Sequence, residues 1–368
     1  MSELDFIETP ALVVDMAVVH HNLSAMAHAI NDAGCALRPH IKTHKTPELA
    51  QMQLRYGARG ITCAKVSEAE VMANGGLLDI FIAYPLVGEF RIARAAALAR
   101  RVRLILATDS LSGAQALSQG AQRHGMQFEV RLEVDTGLGR TGAGLPQVQA
   151  LAHAVAQLPG LKLTGIFTFR GLMKDGVPSA DRQAAGLQEG QMLAELAQKL
   201  RTAGLDIRDV SCGSTPTGAY AAQAEGVTEV RPGTYIFYDR MQVREGACTP
   251  QDCAAAVWVT VVSTPRPDLA IVDGGSKTFG TDFIPGAAPF YFEGYGVAQE
   301  NDDLVLERVN EEHGMLRSRG GQTSLQVGDR LAIVPTHICT TVNLHDRLWL
   351  LEDDKLRSVP VAARGKLV

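Results

Sequence analysis

Between residues 36 and 231, short apolar runs alternate with amphipathic helical patterns, and no other feature of this 368-residue chain limits its fold so tightly. The predicted strands cover 60–64, 79–84, 102–108, 128–135, 161–169, 206–212 and 228–231, and a run ending at Lys42 makes eight. Strands joined through helices run parallel, and a parallel sheet is buried on both faces. Eight such units over about 200 residues fit a closed (β/α)8 TIM barrel better than an open doubly wound sheet, the alternative that strand count alone leaves standing. Past Tyr235 the pattern changes. Runs at 254–262, 269–273 and 330–334 are separated by Gly, Pro and Asp turns instead of helices, which predicts an all-β C-terminal domain. The expected division is 8–240 for the barrel and 241–368 for the β domain, with the N-terminal segment 1–15 pairing with the latter.

The stretch Ala36-Leu37-Arg38-Pro39-His40-Ile41-Lys42-Thr43-His44-Lys45-Thr46-Pro47 gives the barrel its first candidate for chemistry. Read as a strand, it sets Leu37, Pro39 and Ile41 on one side and Arg38, His40 and Lys42 on the other. Unpaired charges are costly to bury, so the basic side implies a site that uses them. Thr46 suits a helix N-cap and Pro47 a first helical position, which places Lys42 near the carboxyl end of a βα unit, where barrels carry their active sites. Neighbouring cations and partial burial favour a neutral, nucleophilic amine suited to a Schiff base. Lys45, just outside the cap, is expected to be exposed.

Four other stretches carry chemistry. Ser211-Cys212-Gly213-Ser214-Thr215-Pro216-Thr217-Gly218 follows a strand and opens a helix, offering N–H groups and hydroxyls to an anion. Arg231-Pro232-Gly233-Thr234-Tyr235 follows the next strand, and two Gly/Thr turns after consecutive strands resemble the phosphate site that barrels build at their last two strands. In Glu133 to Gly142 the glycines permit a tight turn that brings Arg140 over the barrel mouth. The fourth, His337-Ile338-Cys339, extends an apolar strand. Positions i and i+2 of a strand share a face, so imidazole and thiolate can converge on one cation and leave coordination positions for water or substrate. Asn343, His345 and Asp346 follow closely. Cys248 and Cys253 read as a loop thiol and a strand thiol rather than a metal half-site, because no second pair completes four ligands.

A net charge of -5 gives no basic footprint and argues against nucleic acid or an anionic membrane as partner. The first residues lack a basic region followed by an apolar run, no later stretch is long and uncharged enough to span a bilayer, and the six cysteines are scattered. A cytoplasmic protein with reduced thiols is expected.

Taken together, Pro39-His40-Ile41-Lys42-Thr43, the turn from Asp135 to Arg140, Gly213-Ser214-Thr215-Pro216, Arg231 to Tyr235, and His337-x-Cys339 followed by Thr341-Val342-Asn343-Leu344 resemble the D-serine dehydratase and D-threonine aldolase family. These are fold-type III pyridoxal 5'-phosphate enzymes with an alanine racemase-like barrel, and the motifs span essentially the whole chain. The resemblance implies that Lys42 carries the cofactor and that Gly213, Ser214, Thr215, Gly233 and Thr234 hold its phosphate. Arg140 would lie near the ring hydroxyl, with Arg231 and Tyr235 as further contacts. His337 and Cys339 would bind a divalent metal, zinc in preference to manganese or magnesium, and the molecule would be a homodimer acting on a small D-amino acid.

Two departures bear on the reaction. In the family pattern, aldolases carry aspartate where Cys339 stands, and tend to have Tyr and His after the sixth strand, where this chain reads Phe167-Thr168-Phe169-Arg170-Gly171-Leu172-Met173-Lys174. Both favour dehydration of a D-β-hydroxy amino acid (D-serine, D-threonine or D-3-hydroxyaspartate) over cleavage to glycine and an aldehyde. A racemase of this fold has no use for His337 and Cys339, and a non-catalytic cofactor carrier has no use for the β domain.

Overall fold

Helix-separated apolar strands do form a parallel sheet, and its two edges meet. The computed structural model describes residues 3–368 and divides the chain into two units. One contains residues 25–42, 46–233 and 366–368; the other contains the N-terminal residues through Ser24, 43–45 and 234–365. Strand β1 (Ala11–Asp15) belongs to the latter. The former holds β2 (Ala36–Leu37), β3 (Ile61–Cys63), β4 (Asp79–Pro85), β5 (Arg103–Thr108), β6 (Phe128–Asp135), β7 (Leu161–Phe167), β8 (Asp209–Cys212) and β9 (Glu229–Val230). Their order is β2-β9-β8-β7-β6-β5-β4-β3, all neighbours parallel. Beyond β2 the chain reaches β3: His40 bridges Thr62, the Ile41 N–H donates to the Thr62 carbonyl at 2.9 Å, and the Thr62 N–H to the Pro39 carbonyl at 2.8 Å.

The interior is layered, as a filled barrel requires. Near the amino ends of the strands lies an ionic layer. Arg38 Nε is 2.7 Å from Glu229 and its Nη1 2.6 Å from Asp79; Arg131 reaches Glu229 at 2.6 Å and Asp209 at 3.1 Å; Arg103 joins Asp79 to Glu129, 2.9 Å from each. The next layer is apolar, with Phe81, Ile105, Ala107 and Phe167, the two rings edge-to-face at 5.0 Å. Arg38 is thus a paired structural cation and not part of a basic face aimed at a site. Its charge is taken up by two carboxylates, Asp79 and Glu229.

In the second unit the turn-separated strands are β10 (Ala255–Arg266), β11 (Leu269–Val272), β12 (Gly296–Ala298), β13 (Asn301–Val309), β14 (Gly314–Ser318) and β15 (Arg330–Pro335). They pair antiparallel in the ring β10-β11-β14-β13-β12-β15 and back to β10, a closed six-strand barrel. Closure removes the exposed edges of a β domain. Strand β1 pairs antiparallel with β10 and parallel with β16 (Arg347–Glu352), which pairs in turn with β17 (Lys355–Pro360).

Candidate functional site

The first group of candidate residues lies at the carboxyl ends of the parallel strands. Regular pairing of β2 ends at Leu37, two residues before Pro39, which has no N–H to give a ladder. Lys42 therefore stands in a turn, and its backbone N–H faces His40 Nδ1 at 3.2 Å. Thr46 and Pro47 take the cap and first positions of the helix Pro47–Arg55, but the Thr46 side chain makes no capping bond. Lys45 departs from expectation. It is 5% exposed, with φ 53, and its carbonyl accepts the Ala363 N–H at 2.9 Å.

Lys42 Nζ lies 5.7 Å from the centre of the Phe169 ring and the Arg140 guanidinium 5.0 Å from the same ring, so Phe169 marks where these two cations converge. Asp135 builds the Arg140 turn by accepting the N–H groups of Gly137 and Gly139 at 2.9 and 3.2 Å, and buried Glu133 accepts the Thr141 hydroxyl at 2.8 Å. Thr168 ties β7 to β6 through the Val134 carbonyl at 2.7 Å. Arg231 is buried, donating at 2.6 Å both to the Ser211 hydroxyl and to the Thr168 carbonyl, and burial lowers its pKa, with Glu229 opposing.

The two Gly/Thr turns meet. The Gly233 N–H donates to Thr215 Oγ1 at 3.3 Å, the Ser214 and Thr217 hydroxyls are 2.8 Å apart, and Gly213 takes φ +77, with an added Cβ only 2.9 Å from Gly218 Cα. The helix opened here, Gly218–Ala221, is only four residues long, so the turns and not a long helix dipole would supply the anion's donors. Backbone N–H groups, hydroxyls and close-set glycines without a carboxylate in the turns, together with a partly buried lysine facing an aromatic ring, fit pyridoxal phosphate.

The second group lies in the other unit. Strand β15 stops at Pro335. His337 is the extended N-cap of the helix Ile338–Val342, and Cys339 falls in its first turn, so the expected i, i+2 strand geometry is not what brings them together. Fully buried Asp239 fixes this helix: its carboxylate accepts the N–H of Ile338 and that of Gln242, the start of the helix Arg240–Arg244, each at 2.9 Å. Burial pushes the Asp239 pKa up to about 6, with the His337 charge opposing. Asp282 takes His337 Nδ1 at 2.8 Å and the Thr340 hydroxyl at 2.8 Å. Burial would depress the imidazole pKa, but hydrogen bonds with Asp282 and Cys339 outweigh it and hold the group at about 11. Cys339 Sγ is 3.1 Å from Thr43 Oγ1 and 3.6 Å from Thr234 Oγ1.

The imidazole and thiol are thus electrostatic neighbours, with Nδ1 already held by a carboxylate, the arrangement that orients a metal-ligating histidine. Among the described residues no three His, Cys, Asp or Glu side chains gather as a metal cluster. Asn343, His345 and Asp346 are engaged elsewhere, with the Gly365 N–H, the Thr278 carbonyl and Arg364. Tyr235 is fully buried in a short 3-10 turn. Cys248 and Cys253 are free thiols. The sequence reading missed Asp239, Asp282 and Phe169; only Phe169 lay within a stretch it had singled out.

A curled parallel barrel with a lysine and two small-residue turns at its mouth, joined in one chain to a closed β barrel, defines the alanine racemase-like class. A family model described as alanine racemase, N-terminal domain, matches residues 14–241, and one described as putative serine dehydratase domain matches residues 254–351. The chain is 33% identical to D-threonine aldolase from Arthrobacter sp. over 98% of its own length and 93% of that protein's. It is 34% identical to D-threo-3-hydroxyaspartate dehydratase from Delftia sp. (strain HT23), over 91% and 92%. The crystal structure of D-threonine aldolase from Filomicrobium marinum superposes with a TM-score of 0.88 at 31% identity, covering 98% of this chain and 96% of that one. The chain belongs to the D-serine dehydratase and D-threonine aldolase family of fold-type III pyridoxal-phosphate proteins. Among the described residues no helix is long and apolar enough to cross a membrane.

Proposed function

We propose that this chain is a lyase, dependent on pyridoxal phosphate and a divalent metal, that dehydrates and deaminates a D-β-hydroxy-α-amino acid to a 2-keto acid and ammonia. Identity to the relatives does not select the reaction, since an aldolase and a dehydratase stand at 33% and 34%. The observation that carries the reading is Cys339, a soft sulfur group two residues from a histidine whose Nδ1 Asp282 holds. That donor pair suits zinc better than manganese or magnesium.

Lys42 is assigned the covalent link to the cofactor and, once released, removal of the α-proton on its own face. Gly213, Ser214, Thr215 and Gly233 are assigned the phosphate, Arg140 the ring hydroxyl and Arg231 a ring contact. Thr234 and Tyr235 are weaker assignments, because the Thr234 hydroxyl lies beside Cys339 and the Tyr235 side chain is buried. Bound pyridoxal phosphate supplies an electron sink for the α-carbon. A cation on His337 and Cys339 supplies a Lewis acid that makes the β-hydroxyl a better leaving group. Retro-aldol cleavage instead needs a base at that hydroxyl. The segment 169–174 offers no histidine, and the Arg170 guanidinium is turned to Gln188 and Met192.

The test is to supply D-serine, D-threonine and D-3-hydroxyaspartate to the purified protein with Zn²⁺ or Mn²⁺ and to assay keto acid, ammonia, glycine and aldehyde together. Keto acid and ammonia in equal amounts are expected. Glycine and aldehyde in equal amounts with negligible keto acid would establish the aldolase reading instead.

A further inference from the structure

Strand β6 carries a carboxylate into the level of the parallel barrel that is otherwise apolar. Side chains alternate along a strand, so Glu133 shares the face of Arg131, one step nearer the carboxyl end, and it pairs in register with Phe167. Glu133 is 3% exposed, and among the described residues its Oε2 finds no hydrogen-bond partner. Its Oε1 accepts the Thr141 hydroxyl at 2.8 Å. Thr141 lies near the end of a tight loop. Residues 136–142 leave β6 and return to it, Ala143 pairing with Val134 and Gly144 with Asp135, and Gly142 takes φ +110, where a Cβ would lie 2.5 Å from the Asp135 nitrogen. Arg140, the neighbour of Thr141, is exposed, with its guanidinium 5.0 Å from the centre of the Phe169 ring.

We infer that Glu133 is a positioning residue for Arg140, fixing through the Thr141 hydroxyl the backbone from which the guanidinium reaches over the barrel mouth. The inference rests on the reading that Arg140 faces the ring hydroxyl of the cofactor. Packing does not explain a glutamate here. A buried carboxylate with an unpartnered oxygen is unfavourable, and a leucine would suit a level that holds Phe81, Ile105, Ala107 and Phe167. What a leucine cannot do is accept a hydroxyl from the loop. An exposed arginine has many rotamers, so its aim depends on how firmly its backbone is held. Asp135 fixes the start of the loop through the Gly137 and Gly139 N–H groups, and Glu133 fixes its end. Burial raises the Glu133 pKa, with the Thr141 hydrogen bond opposing; a protonated carboxyl keeps an acceptor oxygen, so the anchor holds in either state.

The test compares pyridoxal 5'-phosphate with 3-deoxypyridoxal 5'-phosphate, which lacks the ring hydroxyl, by fluorescence titration of the full chain freed of cofactor. The wild type should prefer the hydroxylated compound, and Arg140→Gln should lose that preference. Thr141→Val keeps the side-chain shape but removes the hydroxyl, and the preference should fall by about tenfold, the consequence of a misaimed charged hydrogen bond. Thr141→Ser keeps the donor and should keep the preference. In the Arg140→Gln background, Thr141→Val should change the preference by no more than about twofold, because the residue it acts through is gone. If Thr141→Val does not fold, Glu133→Leu serves, since it removes the acceptor instead, and it should give the same loss and the same dependence on Arg140. An unchanged preference in Thr141→Val, or an equal loss with and without Arg140, overturns the inference and leaves the Arg140 reading intact. A preference that survives Arg140→Gln overturns both.

Discussion

Replacing Glu229 by glutamine should be among the most destabilising single changes in the parallel barrel. The carboxylate is 0% exposed and takes Arg131 Nη1 at 2.6 Å, Arg38 Nε at 2.7 Å and the Ser211 hydroxyl at 2.7 Å. Glutamine turns one acceptor oxygen into a donor that faces a guanidinium. Arg38 then has only Asp79 as counter-charge, and Arg131 only Asp209. Removing one member of a buried ion pair costs about 3–5 kcal/mol, mostly from the charges left behind. For a unit of this size that lowers the thermal midpoint by roughly 10 °C. The pH dependence gives a second check. Burial works against ionisation of Glu229, but Arg131 and Arg38 outweigh it and hold its pKa below the ordinary carboxylate range. A depressed pKa stabilises the folded state fully above the unfolded carboxylate value and progressively less below it. Denaturant titrations of wild type and Glu229→Gln should therefore differ most near neutral pH and converge as the pH falls below about 4. A neutral-pH difference under about 1 kcal/mol, or a gap that widens on acidification, would show that the ionic layer does not hold the barrel in the way its geometry implies.

Borohydride reduction followed by peptide mapping should label Lys42; Lys42→Ala should abolish the label, and Lys162→Ala, at an exposed position, should not. Chelation should remove activity while leaving the cofactor absorbance in place, and Cys339→Asp should shift the preferred metal from zinc to manganese, read as activity restored by each metal in turn. Asp282→Asn should weaken zinc binding by about 10–100-fold in competition with a chromophoric chelator, since Asp282 is the group that fixes the His337 ring. An unchanged zinc affinity would make Asp282 a surface partner and no more.

The parallel barrel was legible because strands covered on both faces are continuous apolar runs, and β5 is an example: five of its six residues are buried, and helices flank it on either side. The antiparallel domain announced itself through turn residues at short intervals. The failures share one cause. At Arg38 the sequence shows a cation on a strand but not its partners, Asp79 and Glu229, which lie 41 and 191 positions away. The charge that implied a site was instead part of the packing. Lys45 misled in the opposite sense, because a polar residue beside a helix start reads as solvated, whereas here the chain folds over it through Ala363.

His337 and Cys339 show how a residue pair can be chosen for a reason that the structure replaces. Alternation along 331–339 suggested one strand face, but Pro335 ends the ladder and a five-residue helix follows. Such a helix is too short to form on propensity alone, and its start is held by Asp239, 99 residues earlier in the chain. The same carboxylate holds the start of a second short helix at Gln242, so the position of Cys339 depends on a residue with no local signature of chemistry. Asp282, 55 residues before His337, sits in an irregular stretch where no periodicity marks it. The donors themselves are readable as residue types, and the groups that aim them become visible only when the fold brings distant carboxylates to the N–H groups and the ring nitrogen that need them.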